Sequence, residues 1–394
     1  MNITKTKYKN HFLIFIIIMY SLVILDWFSM LSQNDDSPIS RTLRLFLIIY
    51  LFVFVFVYVL KNRLKYSYFS IPLLLMMTII ITYTFFSTDV INNFISISKM
   101  VLWFLGFFYI FILLKNNAIT FKKFRFFIFS MLVIMSILNI YLKTITTMLT
   151  GINGYSYTIV WCFPLMFMFK KSLKWYLVFG IAILSVFYSI KRGAIVSLIL
   201  SIVVYYSTIL YMNKNLKSLG RLFIGVLVTT GIGYLSYLNN FNFYIKRFED
   251  TSGSGRDKLY ERIYDAWLSS DLINIIFGFG TNQTQVFTGG FNRDSRGIYA
   301  HSDWLQFLYD YGLVGVFLIL FLHIYIIRLI RIGFKTKNSF TPILVATYVI
   351  LFLVNIYSGQ LIFANHMIFF SILLALSSYY IYKPKLNFNG VRKF

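Results

Sequence analysis

The sequence has little charge, one cysteine and few prolines, and each shortage excludes a class of protein. Only 13% of its 394 residues are charged and 59% are hydrophobic, whereas soluble domains carry about 25% charged residues. These values exclude an ordinary soluble enzyme and a disordered chain. The single cysteine, Cys162, excludes a disulfide framework and a cysteine-based metal site. Five prolines in the whole chain leave long helices uninterrupted.

Long apolar runs are what the sequence has instead. A helix needs roughly 20 apolar residues to cross a hydrocarbon core of about 30 Å, and we predict an all-α polytopic membrane protein with about twelve transmembrane helices. The runs lie at 12–31, 43–60, 70–87, 97–114, 126–142, 157–169, 175–190, 194–212, 222–239, 311–330, 342–357 and 361–382. The run 157–169 is short and contains Pro164, so a re-entrant half-helix is its alternative. The first run follows three lysines but has no small-residue cleavage site, which favours a retained span over a signal peptide.

The excess of basic residues, which gives a net charge of +24, indicates membrane topology. With the N-terminus inside, the predicted cytoplasmic segments hold 24 basic residues and no acidic one, because Lys and Arg collect in cytoplasmic loops. The external segments hold the other 13 basic residues and all 13 acidic ones. We therefore predict that both termini are cytoplasmic and that the charge does not serve a nucleic-acid partner. Omitting the run 157–169 would invert the loops, which favours keeping it.

One predicted external connection, about 240–310, is much longer than the others and holds nine of the 13 acidic residues. Long loops in compact proteins are usually functional or form small domains. We therefore predict transmembrane helices 1–9 in residues 1–239, an external loop domain with short helices in 240–310, and helices 10–12 with a cytoplasmic tail in 311–394. The chemistry is expected in or beneath this loop.

Two basic residues break the charge rule on the predicted outer side. Lys191 and Arg192 join predicted spans 7 and 8, where positive charge is disfavoured. Two cations at that depth suit a phosphate or pyrophosphate headgroup, which Arg grips with two parallel hydrogen bonds. Gly193 would let the backbone turn and approach closely. The alternative is a basic pair that snorkels to lipid headgroups.

The start of the external loop is a second candidate. Ser254 and Asp257 resemble a capping box, and a glycine-rich turn before a helix N-terminus is a geometry that binds anions. Arg256 lies in the first turn of this predicted helix, and Arg262 follows on it. Its apolar face is formed by Leu259, Ile263, Ala266 and Trp267. The alternative is a flexible linker before an ordinary amphipathic helix.

The end of the loop contains His301, which alone among the four histidines falls in a predicted external loop. A neutral imidazole near pH 7 is a suitable general base for an alcohol. Asp303 is the candidate to orient this imidazole or to act in its place. The alternative is a His–Ser pair that caps a helix without chemistry. Gly312 is the predicted end of the helix that follows.

Other polar residues are weaker candidates. The first external loop is marked by Asp26, Asp35 and Asp36, which are more simply explained as solvated charges. A polar cavity or interhelical hydrogen bonds would explain Asn355, Gln360, Asn365 and His366. His323 lies in mid-span and is expected to hydrogen-bond between helices. No His, Cys or carboxylate spacing indicates a metal site, and we expect no cofactor.

In this order along the chain, the motifs resemble the O-antigen polymerase and O-antigen ligase superfamily of bacterial membrane glycosyltransferases of the GT-C type. The resemblance covers roughly residues 180–330. Its motifs are Arg192-Gly193, Gly255-Arg256, a helix ending in Trp267, Gly278 with Gly280, His301, and the run Gly312 to Gly315. The ligase-like pattern usually has Asn after the histidine, whereas this chain has Ser302 and Asp303. This departure favours a polymerase over a ligase.

The resemblance implies an inverting, metal-independent glycosyl transfer at the outer face of the bacterial cytoplasmic membrane. Donor and acceptor would be glycans on undecaprenyl pyrophosphate, with membrane lipids, a flippase and a chain-length regulator as further partners. Arg192 and Arg256 would bind the pyrophosphate, supported by Lys191 and Arg262, and His301 would deprotonate the acceptor hydroxyl. Alternatives are ligation of a finished glycan to lipid A core or another acceptor and, in another class, a flippase for lipid-linked sugars, although spans almost free of acidic residues disfavour a transporter.

Overall fold

The computed structural model describes residues 2–31, 38–62, 70–85, 90–145, 155–213, 256–289, 297–362 and 364–382, and Gly220, Gly231, Tyr234 and Leu238. Within these residues the chain forms helices and no strand. The helices before the long loop are α1 (Asn2–Leu31), α2 (Pro38–Asn62), α3 (Ser70–Phe85), α4 (Val90–Lys115), α5 (Phe121–Ile145), α6 (Ser156–Cys162), α7 (Leu173–Tyr188) and α8 (Arg192–Asn213). A 3₁₀ helix, Phe163–Met168, continues α6. The later helices are α9 (Arg256–Leu268), α10 (Leu272–Phe277), α11 (Gln283–Gly289), α12 (Asp303–Lys335), α13 (Thr341–Tyr357) and α14 (Ala364–Tyr382).

Among the described residues, six helical segments are long and apolar enough to cross a membrane: Tyr8–Phe28, Thr42–Lys61, Ile97–Lys115, Phe121–Ile145, Arg192–Asn213 and Asp303–Lys335. Shorter apolar helices are Ser70–Phe85, Ser156–Met168, Leu173–Tyr188, Thr341–Tyr357 and His366–Ile381. The described residues are therefore all-helical and, by the length and composition of these helices, consistent with the predicted polytopic membrane protein; the number of twelve spans stays a prediction. The predicted run 222–239 lies outside the described residues except for three single positions, and every other predicted run overlaps one of these helices.

The segment formed by α6 and its 3₁₀ extension lies alongside α5. At its start, the Tyr155 backbone N–H donates to Asn139 near the end of α5 (3.0 Å), and its hydroxyl donates to the Val23 carbonyl. At its end, the ring of Phe169 packs on Phe121 at the start of α5, with centroids 5.1 Å apart. The segment is thus antiparallel to α5. Its two helices reach only about 20 Å, and residues 155–169 are all buried.

The long loop that the sequence places outside has a small core of its own. The buried side of α9 carries Leu259, Ile263 and Trp267, which pack with Ala300 and Tyr309. The apolar face predicted for this helix is confirmed, and Ala266 packs against the same cluster. The boundaries of the loop domain, at 240 and 310, stay a prediction, because residues 240–255 lie outside the described part of the chain.

Two glycines join this loop to the bundle. Gly278 ends α10 with φ +75°, and Gly312 breaks α12 with φ +62° before the helix resumes. A Cβ on Gly278 would lie 2.5 Å from the nitrogen of Gly312, and one on Gly312 would lie 2.5 Å from the nitrogen of Gly278. Only glycine tolerates both the left-handed backbone and this approach. The predicted helix end at Gly312 is therefore a break where two backbones cross.

Candidate active site

The predicted basic turn joins α7 to α8. Ile190 has φ +55° and is buried, a backbone conformation that strains a β-branched residue and is held only by surrounding contacts. Lys191 follows, and Arg192 is the first residue of α8. The left-handed turn is therefore made by Ile190, not by Gly193 as predicted. Such strain is found preferentially at functional sites.

Gly193 allows another helix to approach its backbone closely, as the sequence predicted. A Cβ here would collide with the ring of Tyr357 and lie 2.5 Å from the Tyr157 hydroxyl. The Tyr357 hydroxyl donates to the Gly193 carbonyl oxygen at 2.6 Å and is also 2.6 Å from Ser197 Oγ. The start of α8 therefore packs directly against the end of α13.

Arg256 reaches the same place from the long loop. It is the first residue of α9, and its Nη1 donates to the backbone carbonyl oxygen of Tyr357 at 2.6 Å. The last carbonyls of a helix have no partner within it and carry its negative dipole end, so the end of α13 is a natural place to hold a cation. A guanidinium has five N–H donors, and this bond uses one of them.

His301 lies beside these cations. Its backbone has φ +55°, and its carbonyl oxygen accepts a hydrogen bond of 3.0 Å from the Tyr260 hydroxyl. Burial, together with the positive charges of Arg256 and Lys191, lowers the pKa of its imidazole from 6.5 to about 4. The imidazole is therefore neutral near pH 7, the state that accepts a proton.

Hydrogen bonds link the segments of three residues singled out in the sequence, through Tyr357 and Tyr260: Lys191, Arg256 and His301. The charges of the two cations act on the imidazole. Arg192 is adjacent in the chain and half-buried at the start of α8. Arg262 is exposed, and its offset of six residues from Arg256 turns it roughly 120° around α9. The supporting part of Arg262 stays a prediction.

Asp303 has contacts that differ from the predicted ones. Its buried carboxylate accepts hydrogen bonds of 3.0 Å from the backbone N–H groups of Gln360 and Leu361. With its amide oriented to suit its neighbours, Asn355 donates to the same carboxylate at 2.8 Å. The carboxylate therefore holds the turn between α13 and α14, instead of orienting the imidazole of His301. A direct catalytic role of Asp303 stays a prediction.

The weaker candidates mostly connect helices. In the same orientation, Asn355 accepts from His323 Nε2 at 3.1 Å, and the His323 ring stacks on Trp304. His366 Nδ1 lies 2.7 Å from Thr158 Oγ1. These contacts favour the interhelical explanation over a polar cavity. The side chain of Asn365, with Asp35 and Asp36, lies outside the described part of the structure.

A buried network that the sequence did not indicate holds the segment before His301. Asp310 accepts hydrogen bonds from the backbone N–H of Thr284 at 2.8 Å and from Gln306 Nε2 at 2.7 Å. Gln306 in turn accepts from the backbone N–H of Ala300 at 3.0 Å. The only sequence signal was a Gln and an Asp four residues apart on one helix. The network ties α11, α12 and the His301 segment into one unit.

Within the described residues, no three His, Cys, Asp or Glu side chains lie close enough together to hold a metal ion. The positive charge at the site comes from Lys191 and the arginines. Fixed cations beside a neutral imidazole can stabilise a departing anion and accept a proton from an attacking hydroxyl.

Residues 177–320 match the family model described as O-antigen ligase. This match, over less than half of the chain, supports the resemblance to the O-antigen polymerase and ligase superfamily. The match runs from α7 into α12 and includes Lys191, Arg192, Arg256 and His301. Members of the superfamily are glycosyltransferase-like enzymes. No curated protein is significantly similar to the chain.

The superfamily match ends within α12. Tyr357 lies beyond it, and so do Gln360 and Leu361, which bond the carboxylate of Asp303. The described contacts nevertheless attach α13 and the turn after it to the matched segment, through Arg256 and Asp303. The candidate site therefore includes elements from outside the matched region.

Proposed function

We propose that the protein polymerises undecaprenyl-pyrophosphate-linked oligosaccharide repeat units into a surface polysaccharide, an O-antigen or a capsule. The observation that carries this proposal is that Tyr357 contacts both Arg256 and Gly193, while the helix of Arg256 holds the backbone of His301 through Tyr260. The charges of Arg256 and Lys191 also lower the pKa of His301. The superfamily match supports glycosyl transfer in general, and the donor, the acceptor and the reaction are our inference.

In the proposed reaction, a hydroxyl of the acceptor sugar attacks the anomeric carbon of the donor glycan. The new glycosidic C–O bond forms as the bond from that carbon to the lipid pyrophosphate breaks, so the configuration inverts. His301 takes the hydroxyl proton, and the pyrophosphate leaves with the electron pair of the broken bond. Arg192 and Arg256, supported by Lys191 and Arg262, stabilise the charge that gathers on it. Such a site needs no metal ion, because guanidinium groups supply the positive charge.

Donor binding and base strength are coupled in this arrangement. Arg256 and Lys191 help to keep the His301 pKa low, and a bound pyrophosphate would neutralise part of their charge. The pKa of the imidazole would then rise, which makes His301 a stronger base only when the donor is in place. The arrangement would suppress unproductive protonation of His301 in the empty enzyme.

We place the site on the outer side of the bacterial cytoplasmic membrane, in a chain of twelve spans with both termini inside and an external domain at 240–310. The distribution of basic residues supports this orientation. The test is labelling of Lys258→Cys, an exposed position on α9, in a Cys162→Ala background with a membrane-impermeant maleimide. Labelling of intact spheroplasts is expected; labelling only after the membrane is opened would contradict the orientation.

Ligation of a finished glycan to lipid A core or another acceptor is the second candidate, because the matching family model is described as O-antigen ligase. The decisive experiment gives purified protein in lipid vesicles only repeat units on undecaprenyl pyrophosphate. A ladder of multiples is expected. No product until a separate acceptor is added would mean a ligase, and movement across the bilayer without new bonds would mean a flippase. Lys258→Ala is the control expected to match wild type, and His301→Ala the inactive one.

A further inference from the structure

The last residue of α13, Tyr357, contacts both cationic segments of the site. Its carbonyl oxygen accepts from Arg256 Nη1, and its hydroxyl donates to the Gly193 carbonyl oxygen, each at 2.6 Å. Ser197 Oγ, one turn further along α8, lies 2.6 Å from the same hydroxyl. A single side chain and its own backbone therefore bridge α8 and α9, whose first residues are Arg192 and Arg256.

The ring of Tyr357 also occupies the space over Gly193. A Cβ on this glycine would collide with that ring. Gly193 and Tyr357 are therefore held together both by packing and by a hydrogen bond. The start of α8 can move neither toward α13, because of the ring, nor away from it without breaking the hydrogen bond. The tyrosine therefore fixes the distance in both directions.

The turn after Tyr357 extends the contact to His301. At Gly359, with φ +58°, a Cβ would lie 3.2 Å from the backbone nitrogen of Ser302 and 3.5 Å from Cα of His301. Asp303 anchors the same turn through the N–H groups of Gln360 and Leu361. The end of α13 thus touches the segments of both arginines and of the proposed base.

We propose that Tyr357 is a positioning residue that sets the spacing between the Arg192 and Arg256 segments, and so the geometry in which they grip a diphosphate. The proposal rests on the proposed function. Its chemical basis is that one diphosphate can be held from two sides only if the donors stand at a fixed separation. Preorganised donors act on the leaving group without reorganisation during the reaction.

The test compares Tyr357→Phe with Tyr348→Phe, both on α13. The first variant keeps the ring and the carbonyl but removes the hydroxyl, whereas Tyr348 packs on His323, away from both arginine segments. We expect kcat/KM of Tyr357→Phe for lipid-linked repeat units to fall about ten-fold, the scale of one or two lost hydrogen bonds. Tyr348→Phe should match wild type.

Two further readouts separate positioning from a merely structural effect. Binding of undecaprenyl pyrophosphate to the purified protein should weaken in Tyr357→Phe but not in Tyr348→Phe, measured at a temperature at which both variants are fully folded. The acid limb of its pH–rate profile should also move upward, because the charge of Lys191 lowers the His301 pKa and the lost hydroxyl held the segment that follows Lys191. A lower melting temperature with unaltered binding and pH profile would contradict the proposal.

Ser197→Ala removes the other side chain that bonds the Tyr357 hydroxyl. This variant replaces Tyr357→Phe if that substitution lowers the protein level. Its effect should be in the same direction and smaller, and the double variant should lose less than the sum of the two, because both remove one shared network. Strict additivity, or equal activity of Tyr357→Phe and Tyr348→Phe, would refute the positioning role. If wild type neither binds undecaprenyl pyrophosphate nor transfers sugar, the proposed function itself fails, whatever Tyr357 does.

Discussion

The hydroxyl of Tyr260 donates a hydrogen bond of 3.0 Å to the backbone carbonyl oxygen of His301. Tyr260 lies one helical turn after Arg256 on α9, so the helix that carries the arginine also fixes the backbone of the histidine. The bond stabilises the left-handed conformation of His301, φ +55°, which few residues adopt without support. The cation and the imidazole are therefore held as one unit.

The pH dependence of kcat/KM should report the lowered pKa of His301. Since only neutral His301 can act as a base, a pKa of about 4 in the free enzyme predicts constant kcat/KM from pH 7 to about pH 5 and a fall toward pH 4. An ordinary histidine would give the fall near 6.5. The acid limb of kcat should lie at higher pH than that of kcat/KM, because the bound diphosphate offsets the neighbouring positive charges. Initial rates between pH 4 and 8, with recovery checked at pH 7, test both.

Lys191→Gln should move the acid limb of kcat/KM upward, toward but not to 6.5, because burial still lowers the His301 pKa. The matched control is Lys258→Gln, an exposed lysine on α9. An acid limb that is the same in both variants would exclude the charge of Lys191 as a cause.

Arg256→Lys should be nearly as inactive as Arg256→Ala. Lysine keeps the positive charge but lacks the planar fork that can bond the Tyr357 carbonyl and a phosphate at once. We expect kcat/KM to fall at least about 100-fold, the scale of one lost charge-assisted transition-state contact. Transfer assays at equal membrane levels measure this. Activity of Arg256→Lys close to wild type would mean that charge alone suffices.

Asp303→Asn should lower stability first and activity as a consequence. Its carboxylate accepts hydrogen bonds from the backbone N–H groups of Gln360 and Leu361. The NH₂ group of an asparagine would face one of these N–H donors, which would cost about 1–3 kcal/mol of stability. Thermal unfolding in detergent measures the loss, with the exposed Asp265→Asn as control. A variant that melts like wild type but transfers no sugar would instead give Asp303 the direct catalytic part that the sequence predicted.

Alanine at Gly278 or Gly312 should detach the long loop from the bundle. Each Cβ would lie 2.5 Å from backbone atoms across the crossing, at a positive φ, so we expect a loss of more than about 1 kcal/mol. Limited proteolysis within the loop should become faster. Gly180→Ala is the matched control, since a Cβ there has nothing within 4 Å and alanine favours a helix. Equal proteolysis of all three would show that the crossing is not what holds the loop.

The sequence was sufficient for the features that repeat locally. Apolar runs predicted the helices, and the spacing of Leu259, Ile263 and Trp267 predicted the buried side of α9. The residue types at Lys191, Arg256 and His301 pointed to one site because cations and an imidazole on the same predicted side of a membrane are unusual. The structure brings these three together.

The contacts that organise the site could not be predicted, because they join residues far apart in the chain. Tyr357 binds Arg256 across 101 positions and Gly193 across 164, and nothing in its own neighbourhood distinguishes it from other tyrosines. Asp303 was assigned to the nearest histidine because sequence distance was the only guide, whereas its carboxylate meets the turn between α13 and α14. Ile190 adopts a backbone that its side chain disfavours, so only the tertiary packing selects it.

The enclosed α6 segment has a consequence for biogenesis. It is too short to be inserted into the membrane by the translocon as an independent span. Its Thr158 contacts His366 and its Trp161 packs on Phe370, both on α14. These two partners are synthesised about 200 residues later. Its final path can therefore be fixed only after α14 has entered the bilayer. Truncation before α14 should leave α6 exposed to the quality-control proteases of the membrane, even though the segments bearing the arginines and the histidine would already have been made.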